Sequence, residues 1–157
     1  MTSSTTPDFV HHLGSQPANI HTFPALKPGG AGMMKLTIPP NHMLTPHIHP
    51  NSAETTYCLS GSGEVGLVFP DVSSSEPVGA GFSKYNYQTS DVVMLPQGYL
   101  HYFANTGSEN LELLLTFENN DFNILTMADM LQQLPDNIRG AALNSVPEAG
   151  HAPVVPF

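Results

Sequence analysis

Apolar residues along this chain fall in short runs that turn-forming residues interrupt. The 15 prolines and 13 glycines separate these runs, and segments of this kind form strands more easily than long helices. Several runs are also rich in the β-branched and aromatic residues that strands favour. The pattern therefore predicts an all-β body. Its clearest strands are residues 33–38, 55–60, 63–69, 91–95, 99–105 and 111–117.

Two segments depart from this strand pattern. Residues 70–81 have no apolar period and collect turn formers, which predicts an exposed loop inside a hairpin. After Phe117 the spacing becomes helical, behind Thr126, a residue type that caps helix N-termini. A first short helix is therefore predicted there, and a second one after Pro135. The apolar face of the first would be formed by Met127, Met130, Leu131 and Leu134.

The length of 157 residues is that of one domain. Residues 1–32 are rich in Ser, Thr, Pro and Gly and show no strong period, so an N-terminal arm is predicted. Residues 33–120 would form the β-barrel, and residues 121–157 a C-terminal helical segment and tail. The three parts are expected to form one domain overall.

The charge balance restricts the partners. With 4 basic and 13 acidic residues the formal net charge is -9, which would repel phosphate backbones and anionic lipid heads alike. Neither nucleic acid nor a membrane surface is expected as a partner. The single cysteine, Cys58, rules out an intramolecular disulfide framework. The first residues do not have the pattern of a signal peptide, so a cytoplasmic location is expected, or secretion if a signal has been removed.

The stretch HIHPNSAE carries the most chemical information. On a strand, side chains two residues apart project from the same face, so His47 and His49 could point into one cavity. Pro50, Asn51 and Ser52 then bend the chain, which could return Glu54 to the same depth. A second strand could supply His101 from across the barrel. These four residues are the predicted metal ligands.

Three imidazoles and a carboxylate suit a divalent ion with open coordination positions. Mn(II), Fe(II), Ni(II) and Zn(II) all accept mixed nitrogen and oxygen donors, whereas closed structural zinc sites more often use thiolates. A histidine pair on a strand, taken alone, is more often ordinary surface or core polarity. The glutamate and the third histidine reverse that interpretation.

Both segments around the ligands resemble the conserved motifs of the cupin family. PHIHPNSAETTYCLSG is similar to the first motif, with His47, His49, Glu54 and Gly61 in place, and SDVVMLPQGYLHYFAN to the second. In the second motif the matching positions are Pro96, Gly98, His101 and Asn105. The resemblance covers roughly residues 30–135 and is strongest to germins and oxalate decarboxylases. It implies a jelly-roll barrel in which the four ligands bind manganese or iron.

Three positions depart from the family pattern. Asn41 and Ser90 stand where each motif opens with glycine; Asn tolerates a positive φ, whereas Ser does so less readily. Leu44 lies three residues before His47, where oxalate-active relatives often carry an Asn or Arg that contacts oxalate. The resemblance therefore implies the metal site more firmly than it implies oxalate as the substrate.

On a strand every second residue shares the face of a ligand, so the residues two and four positions from the ligands are predicted to surround the metal. These residues are largely apolar. Such a pocket offers few hydrogen-bond donors to a small dianion but good surfaces to an organic substrate. Met and Phe on inward faces are, however, more often plain core than substrate contacts. The predicted pocket residues are Met34, Leu44, Thr56, Cys58, Tyr99 and Phe103.

Three functions remain open from the sequence. The leading hypothesis is a manganese- or iron-dependent enzyme that oxidises or decarboxylates a small organic acid or related oxygen-bearing substrate. The resemblance to germins implies a second, oxalate oxidation or superoxide dismutation. The third is a non-catalytic barrel that binds a metal or small molecule, because a fold does not determine a function. A homodimer is expected in each case, since the arm and helices need a surface to pack on.

Overall fold

A computed structural model of the chain describes residues 16–18, 29–69 and 81–144. These residues form ten strands and two short helices. The strands are β1 (Gln16–Ala18), β2 (Gly32–Ile38), β3 (Met43–Ile48), β4 (Glu54–Ser60), β5 (Ser62–Val68), β6 (Phe82–Gln88), β7 (Val92–Leu95), β8 (Leu100–Ala104), β9 (Leu111–Phe117) and β10 (Leu125–Thr126). The helices are α1 (Met127–Gln132) and α2 (Asp136–Asn144). The all-β prediction is confirmed.

The strands form two antiparallel sheets of five. The first sheet has the order β1-β2-β9-β4-β7, and the second has the order β10-β3-β8-β5-β6. Burial alternates along the central strand β9, where every second residue from Leu111 to Phe117 is buried, as expected for a strand with one covered face. The core lies between the two sheets. It contains Met34, Leu36, Ile38, Leu44, Cys58, Val65, Leu67, Tyr87, Leu95, Phe103, Leu111, Leu113, Leu115 and Phe117.

Each of the six predicted strands is present, with ends within one residue of the prediction. Four further strands lack a clear pattern in the sequence. Of these, β6 lies at a sheet edge and buries only Tyr87, so its apolar alternation is weak. β3 contains Pro46 and an irregularity between Leu44 and His47. β1 falls within the predicted arm, and β10 has only two residues.

Of the loop predicted at residues 70–81, the structure describes only Gly81. β5 and β6 pair as an antiparallel hairpin, as predicted, and residues 70–80 between them lie outside the described residues. Most of the predicted arm and the tail after residue 144 also lie outside them.

Both predicted helices are present. The Thr126 hydroxyl accepts a hydrogen bond from the Asp129 backbone N–H, and the Asp129 carboxylate accepts one from the Thr126 N–H, so α1 begins with a capping box. α1 ends at Gln132, so Leu134 lies beyond it and is exposed. Neither helix in the described ranges has the length and apolar character needed to cross a membrane.

Two turns hold non-glycine residues at positive φ. Asn41 has φ 61° and Ser90 has φ 76°. These are the two positions where the cupin motifs open with glycine, so the structure explains that preference. Asn is tolerated in the left-handed region, whereas the Cβ of other residues is unfavourable there.

Replacing Ser90 with glycine is therefore expected to stabilise the chain by about 1 kcal/mol, because the strain at φ 76° outweighs the extra freedom of glycine in the unfolded state. Urea unfolding of S90G measures this difference. Asn41→Gly should gain less, and Gly98→Ala, at φ 80°, should lose stability. If S90G is less stable than the parent chain, the strain at Ser90 is compensated by another interaction.

Candidate metal centre

The structure brings the four predicted ligands together inside the barrel. Each of the four residues, His47, His49, Glu54 and His101, offers one nitrogen or oxygen atom, and these four atoms all lie within 4.8 Å of one another. All four residues are buried, with at most 2% of their surface exposed. A single ion can contact all four residues.

Two sheets contribute these ligands. His47 lies near the end of β3, and its partner in the ladder with β8 is His101. His49 follows directly after β3, and Glu54 begins β4 in the other sheet. The prediction that His101 approaches from across the barrel is therefore wrong. His101 lies beside His47 because β3 and β8 are neighbours, and Glu54 is the residue that faces them from the opposite sheet.

The hydrogen bonds of the imidazoles determine which nitrogen faces the centre. Nδ1 of His47 lies 2.7 Å from the Thr45 carbonyl, and Nδ1 of His101 lies 2.8 Å from the Tyr99 carbonyl. Nδ1 of His49 lies 2.7 Å from the Asn123 carbonyl. A carbonyl only accepts, so each Nδ1 carries a hydrogen, and each Nε2 is left as the nitrogen that faces the centre and could bind a metal.

Glu54 presents one oxygen to the centre. The hydroxyl of Thr56 donates a hydrogen bond to Oε1 of Glu54. The other oxygen, Oε2, lies 2.8 Å from Nε2 of His49 and 3.5 Å from Nε2 of His101. Adjacent ligands on an octahedral ion are about 3 Å apart when each metal–ligand bond is about 2.1 Å, so these separations suit a shared ion.

The four inward-facing atoms are Nε2 of the three histidines and Oε2 of Glu54. Each is buried, and none has a hydrogen-bond partner of acceptable geometry in the structure. Buried polar atoms normally have partners, because leaving them without one costs free energy. A cation that accepts all four lone pairs would remove this cost, so the donor set fits a metal ion.

The protonation states also favour a cation. Burial lowers the pKa of His47 to about 3, with a further contribution from His101, so this imidazole is neutral near pH 7. Burial alone would raise the pKa of Glu54, but the close approach of His101 and His49 outweighs burial and holds the pKa well below its usual range. The centre therefore offers a carboxylate from Glu54 and a neutral nitrogen donor from His47, as a divalent ion requires.

Replacing Thr56 with valine is expected to lower the free energy of unfolding by about 1.5–3 kcal/mol, because it removes a hydrogen bond to a buried carboxylate without much change of volume. Metal affinity should fall 10- to 100-fold, since Glu54 loses the group that orients it. Urea unfolding and metal titration measure the two effects. The matched control is Thr55→Val, on the opposite face of β4, for which a small change is expected. Equal effects in the two variants would contradict a specific role of Thr56.

The predicted pocket residues occupy different places. Met34, Leu44, Thr56, Cys58 and Phe103 are buried in the barrel. The Phe103 ring lies 6.2 Å from the His101 ring, and Thr56 contacts Glu54. Tyr99 is only half-buried, and its carbonyl orients His101. The Cys58 thiol faces the Ser60 and Gly61 carbonyls at the far end of β4, so Cys58 does not adjoin the ligands.

Of the other histidines, only His42 belongs to the described residues. It is exposed, it lies at the end of β3 opposite to His47, and its Nδ1 contacts the Pro40 carbonyl at 2.9 Å. A proton-transfer role at the centre therefore has no support from its position. His11, His12, His21 and His151 lie outside the described residues.

The sequence did not indicate the segment that orients His49. This segment, residues 119–124, connects β9 to β10 and is called the strap here. Its Asn123 carbonyl accepts the hydrogen bond from His49, and its Phe122 ring stacks on Phe117 at 3.7 Å. A run rich in Asn and Asp has the composition of an ordinary turn, so no signal in the sequence distinguishes it.

Comparison with known proteins supports the same interpretation. A family model described as Cupin matches residues 12–149. The chain is similar to the putative germin-like protein 2-2 of Oryza sativa subsp. japonica, at 29% identity over 71% of this chain and 47% of the relative. Germin-like protein 5-1 of the same organism is 30% identical over 71% of this chain and 46% of its own length. The chain thus spans about half the length of these curated relatives.

Among solved structures, the chain is similar to the oxalate decarboxylase of Lactobacillus farciminis in its formate complex. The TM-score is 0.73 at 25% identity, over 83% of this chain and 36% of that one. This likeness confirms the jelly-roll fold that the motifs implied.

Proposed function

The chain belongs to the cupin family, and from that membership we propose that it is a metal-dependent enzyme that oxidises or decarboxylates a small organic acid. His47, His49, Glu54 and His101 would hold the metal, with Mn(II) or Fe(II) favoured and Ni(II) or Zn(II) compatible with the same donors. One observation carries the proposal. Four buried atoms face one another without hydrogen-bond partners, and all four are metal-ligand types.

The residues of the chain would prepare this centre for the metal. The carbonyls of Thr45, Tyr99 and Asn123 keep a hydrogen on each Nδ1, so every Nε2 faces inward. Burial of the ligands excludes bulk water, which strengthens electrostatic interactions at the centre. When bound, the metal would supply Lewis acidity or redox chemistry toward the substrate.

The surroundings of the ligands favour an acid that carries an apolar part. Leu44 is 1% exposed and belongs to the apolar core, so its position offers no polar contact to a small dianion. Phe103, beside His101, is equally apolar. Aromatic and aliphatic walls with a few polar groups are typical of sites for organic ligands.

The proposal is tested with the purified full chain loaded with Mn(II) or Fe(II). Oxygen uptake and CO2 release are followed under air with small carboxylic acids and with phenolic acids. We expect turnover of at least one of these acids by the loaded protein and none by His101→Ala. Binding of an acid without turnover by correctly loaded protein would instead favour the non-catalytic alternative.

Oxalate oxidation or superoxide dismutation is the second candidate, because the chain is similar to germin-like proteins and to an oxalate decarboxylase. Turnover of oxalate or of superoxide, in preference to a larger organic acid, would support this candidate. The apolar Leu44 argues against oxalate, and the formal net charge of -9 argues against electrostatic steering of superoxide. Parallel assays with oxalate, superoxide and phenolic acids distinguish them.

We also propose a homodimer. On the outer face of the first sheet, Tyr57 pairs with Val92, and Met94 follows on β7. These side chains are 39%, 62% and 67% exposed, so a group of large apolar residues faces outward at the edge of the sheet. Light scattering on the purified chain should give twice the mass of one chain. Substitution of Met94 by Lys should then shift the mass toward the monomer.

A further inference from the structure

The three imidazoles of the centre are oriented in two different ways. His47 and His101 each donate to the carbonyl two residues earlier in their own segment, at Thr45 and Tyr99. His49 lies just beyond the end of β3 and donates to Asn123, which is 74 residues further along the chain. The orientation of His49 therefore depends on where the strap places one distant carbonyl.

The side chain of Asn51 holds the strap at that point. Its Oδ1 accepts a hydrogen bond from the Asn123 N–H at 2.9 Å, and its Nδ2 donates to the Asp121 carbonyl at 2.7 Å. The backbone carbonyl of Asn51 also accepts a hydrogen bond from Nδ2 of Asn119, at 3.0 Å. A single residue two positions after His49 thus contacts the strap on both sides of Phe122.

Phe122 anchors the strap independently of these hydrogen bonds. Its ring stacks on Phe117 at 3.7 Å with 9° between the planes, and Phe117 in turn lies 4.9 Å from the His49 ring. Gly32 leaves room for it, because a Cβ there would come within 2.5 Å of the Phe122 ring. Loss of the Asn51 amide should therefore leave the strap in place while freeing the Asn123 peptide to rotate.

We propose that Asn51 is a positioning residue for the metal centre. It holds the Asn123 carbonyl on Nδ1 of His49 and so keeps Nε2 of His49 directed into the centre, where it would bind the metal beside Oε2 of Glu54. This inference rests on the proposed metal-binding function. An amide is suited to the task because it both donates and accepts, as the two strap contacts require.

The test compares three variants of the full chain. Asn51→Ala removes both contacts, and Asn51→Asp keeps an acceptor for the Asn123 N–H but loses the donor to Asp121. Gln97→Ala is the matched control, because Gln97 is an exposed amide that donates to the Pro50 carbonyl in the same bend at 2.8 Å. If N51A does not fold, N51D provides the comparison.

The first measurement is the tautomer of each histidine in the metal-free chain, by long-range nitrogen–proton NMR. In N51A we expect a smaller fraction of His49 with hydrogen on Nδ1, with His47 and His101 unchanged. N51D should be intermediate, and Q97A should match the parent chain. An unchanged His49 in N51A, or an equal change in Q97A, would overturn the inference.

The second measurement is the Kd for Mn(II), by electron paramagnetic resonance of the free ion. N51A should bind 10- to 100-fold more weakly than the parent chain, as is typical when a group that orients a ligand is lost. An altered His49 tautomer with unchanged Kd would refute the role in metal binding. If the parent chain binds none of the metals proposed for it, the proposed function fails, while the tautomer measurement still decides whether Asn51 positions His49.

Discussion

Replacing His101 with alanine is expected to abolish stoichiometric metal binding, with a loss of affinity greater than 100-fold. The change removes one of three nitrogen donors. It also leaves a cavity beside the Glu54 carboxylate, because Oε2 of Glu54 lies 3.5 Å from Nε2 of His101. Losses of 10- to 100-fold already follow when only an orienting group is removed, so loss of a ligand should exceed them. Metal analysis of extensively dialysed protein measures the effect.

The same variant should lose the stabilisation that metal provides. At a metal concentration of 100 times Kd the parent chain should gain about 2.7 kcal/mol, whereas the variant should gain almost none. His42→Ala is the control, because His42 is exposed at the other end of β3. If the H101A variant keeps one tightly bound ion per chain, His101 is not a ligand.

Replacing Phe117 with alanine is expected to lower the free energy of unfolding by about 3–5 kcal/mol, the usual cost of deleting a buried phenylalanine ring. Phe117 is 2% exposed, and its neighbours in the ladder are Gly32 and Glu54. It also stacks on Phe122 and lies edge-to-face with His49. The cavity would therefore weaken both the core and the support of the metal centre.

Urea unfolding of the metal-free chain measures the effect on stability alone, because it removes any contribution from bound metal. Leu143→Ala is the matched control, since Leu143 is 54% exposed on α2 and its truncation should change the stability by no more than about 0.5 kcal/mol. Phe117→Leu should fall between the two. A similar small loss for F117A and L143A would mean that Phe117 is not part of a close-packed core.

The sequence by itself determined the local structure of the chain. The strand at residues 111–117 was predictable because alternate residues face the core, and α1 because its spacing and its Thr126 cap are local features. Local spacing also predicts the ligand residues. His47 and His49 are two residues apart, and the spacing of the two motifs adds Glu54 and His101.

The tertiary structure alone decided how these pieces meet. Strand order depends on pairing between distant segments, so only the structure makes His101 the neighbour of His47 and sets Glu54 opposite them. β6 gave no signal because an edge strand buries little apolar surface. The same holds for Asn51 and Asn123. Their hydrogen bonds join residues more than 70 positions apart, and a hydrogen bond between distant residues leaves no periodic pattern along the chain.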